Sequence, residues 1–326
     1  MLGGFVLPGL LLVGGGRVKA PPEVLEHFEK IATKLTDSYP YAPVPATAQA
    51  VRRDLPIAHA ILAEGGLDEE GLRRMHAAAG RLAAMLGNAQ LDTGWTGQAS
   101  RTLIAAYDHA VLGKDAAGQA WCRLLQSSVE LAEDQPRQAL VYARDGWAVA
   151  PPGSPVAARL AAECIAASLA KLGDQRGTSQ ALDDAWTIVG DFAPEQRGHP
   201  GWHPNRLHPA ELDSITAAAY IDAGNPHAAL LHTERGIAAL DRAPAVSHRA
   251  YVRTNAARAM LARDEIESAV DYMNEALEVS SARKLADIER RACAFVVSAR
   301  NRAPGPLIEN LKEHVRLWRA TRLTQV

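Results

Sequence analysis

The sequence predicts an all-α protein built as an array of antiparallel helix hairpins. Three observations predict it. A small residue recurs at Ala99, Ala139, Thr178, Ala229 and Ala269, at intervals of 40, 39, 51 and 40 residues. A second small residue follows seven positions later each time, at Ala106, Gly146, Ala185, Gly236 and Ala276. The chain is 48% hydrophobic yet holds only 4 Phe among 326 residues, a composition suited to close helix packing. A fixed period near 40 with small residues at helix crossings belongs to stacked helix pairs, each touching only its neighbours, and not to a single enzyme-like core.

Residues 1–22 open as MLGGFVLPGLLLVGGG and form an apolar arm or linker. The run is too short and too Gly-broken to span a bilayer. Arg17 and Lys19 follow it, whereas a secretory signal carries its positive charge first. Gly14, Gly15 and Gly16 lack strand–turn–helix context and read as a flexible joint. Residues 23–68 are N-terminal helices packing on the array. Val24, Leu25, Phe28, Ile31 and Leu35 give one apolar face to a helix over 23–35. Pro43 and Pro45 break the stretch 39–45. A second helix is expected over 47–63, stopped by Gly65-Gly66 and kinked or divided at Pro56. Asp68 is the next N-cap, with Leu67 as its staple.

Five hairpins are expected over 69–281. Helices at 69–92 and 95–112 meet around Gly94. Helices at 117–133 and 136–149 follow, with Pro136 at a first helical position, where its missing N–H costs nothing. The third pair, 154–172 and 176–189, turns at Gly173-Asp174. The fourth, 209–223 and 226–240, turns at Gly224-Asn225, and the fifth, 246–262 and 265–280, at Asp264. The interval of 51 comes from an insert at 190–209, where Pro194, Pro200, Pro204 and Pro209 leave no helical period. Loops of this length are uncommon in compact arrays and are often functional. Residues 282–326 are expected as C-terminal capping helices, 282–300 and 306–320.

The bulk properties exclude several classes. A net charge of −2 gives no field for nucleic acid. Cys122, Cys164 and Cys293 lie far apart without C-x-x-C spacing, which reads as a reducing, cytoplasmic setting with each thiol a small apolar group. No phosphate-binding glycine loop and no G-x-S-x-G is present, and no nucleophile has a base to activate it. From Arg283 to Arg322 ten Lys/Arg stand against four Asp/Glu. Leu285, Ile288, Ala292, Phe295 and Val296 form an apolar stripe among those charges, so the run reads as a capping helix with a solvated face. Aromatic interleaving suited to single-stranded nucleic acid is missing.

Gly-Asp or Gly-Asn at a turn, then a small residue, an apolar residue four later and a further small residue, resembles the tetratricopeptide repeat. The fits are Ala139–Ala143–Gly146–Pro151, Gly224–Ala229–Thr233–Gly236 and Asp264–Ala269–Met273–Ala276. At a finer level the chain resembles the C-terminal sensor half of bacterial helix-turn-helix transcriptional regulators. The apolar arm before a Pro-containing helix, GWHPNRLHPAELD (201–213) and SSARKLADIERRA (280–292) carry that likeness. The resemblance implies a right-handed superhelical, tetratricopeptide-repeat-like solenoid that senses a ligand or protein behind a DNA-binding domain. Nothing before residue 23 forms the two short helices of such a domain, so only the sensing half is implied. An upstream domain or a stand-alone relative are both open.

The resemblance also nominates a concave groove lined by the first helix of each hairpin. Its residues are Arg81, Asn88 and Asp92, then Trp121, Leu124 and Ser128, then Glu163, then Glu211 and Asp222, and finally Tyr251, Asn255 and Arg258. Polar side chains on Ala-rich helices offer hydrogen bonds to a bound peptide or small molecule; the plainer reading is a solvated helix face. In the insert, His199, His203 and His208 fall within ten residues, beside Trp202, Glu211 and Asp213. Such groups are metal ligands in other settings, but no firm helix carries them at ligand spacing. The expected reading is Trp202 plugging an apolar gap between the third and fourth hairpins with the histidines at the surface, or else a lid over the groove.

The sequence thus predicts a non-catalytic binder of a peptide, protein or small signalling molecule, without cofactor or metal, in bacterial transcriptional or signalling regulation. Membrane association is not expected, nor direct nucleic-acid binding without an upstream domain. The alternatives are a scaffold that homodimerises and, below it, a metal-dependent enzyme using the His-rich insert.

Overall fold

At six turns of the array one residue lies in the left-handed region, and at three of them the next residue caps the following helix through its side chain. Gly94, Gly173 and Gly224 have φ of 88°, 80° and 77°, and Lys114, Asp134 and Asp264 have φ of 51°, 56° and 62°. Asp115, Asp174 and Asn225 then accept the backbone N–H of Gly118, Gly177 and Ala228, satisfying donors that a helix start leaves orphaned. This is why Gly-Asp and Gly-Asn pairs punctuate the chain.

The structure is a computed structural model that describes residues 22–323. The apolar arm and its glycine joint therefore lie, but for Pro22, outside the described residues. Two helices come first, α1 (Pro22–Ser38) and α2 (Val44–Glu64). The pairs α3 (Glu69–Thr93) with α4 (Thr96–Leu112) and α5 (Ala116–Ala132) with α6 (Pro136–Val149) follow. The next segment runs as α7 (Pro155–Arg159), a π-helical stretch (Leu160–Ala166) and α8 (Ala167–Lys171), and packs on α9 (Gln175–Gly190). A short α10 (Pro194–Arg197) leads to the pairs α11 (Pro209–Asp222) with α12 (Pro226–Leu240) and α13 (Val246–Ala262) with α14 (Ile266–Val279). A 3₁₀ turn (Ser280–Ala282), α15 (Ala286–Arg302) and α16 (Pro306–Leu323) complete it. Among the described residues no strand occurs, and the β pairing is limited to an isolated bridge between His203 and Arg206. The protein is an all-α helical-repeat solenoid.

The recurring small residues sit where helices cross. Ala99, Ala106, Ala139, Ala185, Ala229, Ala269 and Ala276 are fully buried. A Cβ on Gly146 would stand 2.8 Å from Arg123 Cβ, and one on Gly236 would stand 2.9 Å from Val252 Cγ2, so both crossings need a bare backbone. Asp68 caps α3 by accepting the Gly71 N–H at 2.8 Å.

Four local expectations are corrected. The helix expected from 47 starts at Val44, because a proline in the first turn lacks an N–H that has no partner there anyway. Of the two expectations for Pro56, division of the helix is the one removed, since a single helix runs through it. The π-helical stretch was not foreseen; its i→i+5 pattern leaves no mark on a 3.6-residue hydrophobic period. The basic run after 282 does not merely cap. α15 packs on α13 and α16 on α14, so the pair continues the array, and one side of α15 turns inward.

The array curves until its ends meet. Arg283 donates to the Ala42 carbonyl and to Ser247 Oγ at 3.1 Å, lies over the Tyr39 ring at 4.9 Å, and stands 3.7 Å from Asp92. Tyr39 Oη donates to Asp92 at 2.6 Å. The first helices are thus tied to the last through one guanidinium.

Candidate functional site

A cavity of about 770 Å³ occupies the concave interior. Its wall is built by the first helix of successive pairs. α3 contributes Asn88 and Asp92, α5 Ser128, the π-helical stretch Glu163, α11 Asp222, and α13 Tyr251, Asn255 and Arg258. The insert contributes Trp202. Eight of the twelve groove residues nominated from sequence therefore line one space, and Trp202 of the insert joins them.

The other four lie elsewhere. Arg81 is exposed and bonds to Asp115 at 3.0 Å, on the face of α3 turned toward α5. Trp121 is 5% exposed and sits behind Trp202, ring centroids 4.4 Å apart. Glu211 is wholly buried in an ionic cluster beneath the insert. Leu124 is buried too, and its neighbour Leu125 lines the cavity instead.

That cluster explains how the insert is held. Arg159, on α7, has no exposed surface. Its guanidinium donates to Glu211 at 2.7 Å, to Glu163, and to the carbonyls of His203 at 3.2 Å and Arg206 at 3.0 Å. Glu211 also accepts the Gly201 N–H at 2.6 Å and stands 3.2 Å from His248 Nε2. Burial alone would raise the Glu211 pKa, but His248, Arg159 and the Gly201 amide hold it below the usual carboxylate range. The insert therefore reaches the concave side, and Trp202 lines the cavity. Trp202 packs on Trp121 and on Tyr39, at a centroid distance of 5.5 Å from the latter, rather than between the third and fourth hairpins as expected.

The three histidines of the insert do not converge. His199 is exposed, His208 accepts the Ala210 N–H at 3.1 Å, and His203 is 7% exposed rather than at the surface. His203 Nδ1 accepts the Asn205 N–H at 3.0 Å, so its Nε2–H points to Asp37 at 3.0 Å. Among the described residues no group of three or more His, Cys, Asp or Glu is placed to hold a metal ion. Burial pushes the Cys122 and Cys164 thiols up to about 12, so neither is a poised thiolate.

Two histidines are held neutral by the fold. Burial, with Arg206 beside it, lowers His203 to about 4 against the opposing Asp37. On the outer side of the array, His109 stands between His76 (Nδ1 to Nδ1, 2.9 Å) and His59 (Nε2 to Nε2, 3.1 Å), and burial with those two neighbours lowers it to about 4. Unfolded, both titrate near 6.5. The unfolded chain therefore takes up protons first, and stability falls as pH drops from 6.5 toward 4 and levels off below. Between pH 7 and pH 5 the expected loss is about 1–2 kcal/mol, discounted for partial exposure. Urea melts at the two pH values check this. A His109→Gln/His203→Gln double variant should flatten the dependence, and an equal slope in both proteins would count against it.

No family model matches the chain, and no curated protein matches it. Among solved structures, it is similar to a crystal structure from Podosopora anserina, described as nearly identical TPR-like repeats of a kinesin light chain. The identity is 15%, the TM-score 0.43, and the match covers 64% of this chain and 97% of that one. Among the described residues no helix is long and apolar enough to cross a membrane.

Several cavity residues were not singled out from sequence. Tyr39 lies in the proline-rich break, His248 starts a helix, and Arg283, Asp287, Arg290 and Arg291 belong to the run read as a cap. The one signal for them was in SSARKLADIERRA, where Asp287, Arg290 and Arg291 fall at i, i+3 and i+4 and so share a helix face.

Proposed function

We propose that this chain is a non-catalytic binding module that takes a small molecule or a short peptide into its concave cavity, and that it acts as the sensing part of a bacterial regulatory system. The observation that carries this reading is the cavity itself. About 770 Å³ lies within the range of small-molecule and cofactor sites, and its lining joins Ala, Leu and Ile to eleven Asp, Glu, Lys and Arg side chains. Residues 69–281 form the core of the recognising array, α15 and α16 extend it, and 23–68 pack on its start. In a solenoid each pair touches its neighbours, so a ligand bridging the walls biases the curvature of the whole. Scattering that shows an unchanged radius of gyration at saturating ligand would remove that coupling.

The test is native mass spectrometry of the protein incubated with a deproteinised bacterial extract of metabolites and peptides. An adduct of defined mass is expected. Ala218 lines the cavity, so Ala218→Trp should obstruct it and weaken the adduct while leaving the helical signal unchanged. No adduct, or the same adduct in the variant, would overturn the reading.

A further inference from the structure

We infer that the cavity takes a compact amphipathic carboxylate, one anionic head on an apolar body; this rests on the cavity being a binding site. The first observation is a charge imbalance on one wall. Arg258, Arg290 and Arg291 reach the cavity from α13 and α15, and the carboxylates facing them are Asp222 and Asp287. Arg258 pairs with Asp222, Arg290 with Asp287, and Arg291 bonds to Asp287 at 2.7 Å and to Asn255 at 3.0 Å. Burial would raise the Asp287 pKa, but Arg291, Arg290 and Arg258 together lower it, so all three guanidiniums gather around one carboxylate. Arg283 and Asp92, next along the wall, cancel each other. Arg302 and Asp264 cancel likewise, 2.7 Å apart, as do Lys171 and Asp134 at 3.0 Å, while on a different wall Arg159 is shared between Glu163 and the buried Glu211. On the arginine wall, three cations against two anions leave one positive charge to be met.

The second observation is shape. Trp202 and Tyr39 line the cavity side by side, ring centroids 5.5 Å apart, and give it an aromatic wall. The third is the apolar part of the lining. Leu125, Leu131, Ala162, Ile215 and Ala218 belong to it and give an apolar body its surface. Guanidinium forks match a carboxylate with paired, charge-assisted hydrogen bonds. One surplus charge fits a monoanion.

The test uses a neutral apolar fluorophore, N-phenyl-1-naphthylamine, displaced by sodium decanoate or by 1-decanol. The two competitors share a chain and differ in the head group. Decanoate is expected to displace the probe at a concentration about tenfold lower, the factor that one charge-assisted contact supplies. Arg290 is half-exposed, so Arg290→Met is expected to fold, and it balances the wall at two charges against two. It should bring the ratio of the two competitors near one, and Arg290→Lys should restore it. Equal displacement in the wild type, no displacement by decanoate, or a preference that survives Arg290→Met overturns the inference and leaves the cavity a binding site. Absence of probe binding in the wild type, with Ala218→Trp identical to it, overturns the cavity reading itself.

Discussion

Arg159→Met is expected to destabilise the protein by about 3–5 kcal/mol, the cost of leaving a buried charge without its partner. Methionine nearly matches the arginine stem in length, so packing changes little and the loss reports the charge. Arg159 is wholly buried and serves four acceptors: two carboxylates and two carbonyls of the insert. Without it, Glu211 keeps the Gly201 amide and His248 but loses its permanent cation. The carbonyls of His203 and Arg206 lose their donor as well, so the insert loses its anchor along with the salt bridge. Urea denaturation at pH 7 measures the effect. Adding Glu211→Gln to Arg159→Met should recover part of the loss, because a neutral amide is cheaper to bury than an unpaired carboxylate. A loss below about 1 kcal/mol would mean that water enters the cluster and that the insert is held by other contacts.

The array was legible because its rules are local. Gly173-Asp174 and Gly224-Asn225 fix a turn and a cap through their own backbone and side chains, and no distant contact is needed. The small residues at Ala139 and Gly146, or Ala229 and Gly236, mark crossings because a larger side chain there meets the neighbouring helix directly. The concave face followed in part, since the first helices of the pairs share a side once the period is known. What failed to show was everything that depends on closure. Tyr39 reaches Asp92 across 53 positions, and Arg283 reaches Ala42 across 241. Neither pairing leaves a periodic trace. Glu211 was nominated for the groove because it is acidic on a first helix; one turn of α11 decides whether such a residue faces the cavity or the underside of the insert. Asp287 and Arg290 were hidden for the opposite reason, since a basic run at the end of an array resembles a solvated cap until the curvature brings it round.

Trp202→Ala is expected to cost about 2–4 kcal/mol, from lost apolar burial and a void that cannot collapse between rigid helices. The indole is partly exposed toward the cavity, so the loss falls below that of a fully buried tryptophan. Its two aromatic partners come from different parts of the chain, Tyr39 at the end of α1 and Trp121 within α5. One ring therefore joins the N-terminal helices, the second pair and the insert. Its removal should loosen those three places together. Amide hydrogen exchange is expected to quicken over 198–207 and 39–42, with α13 and α14 unchanged. Trp202→Phe keeps an apolar ring on Trp121 and should restore about half of the stability. Uniformly faster exchange would show that the tryptophan supports the array as a whole. Unchanged stability would show that Arg159 alone fixes the insert.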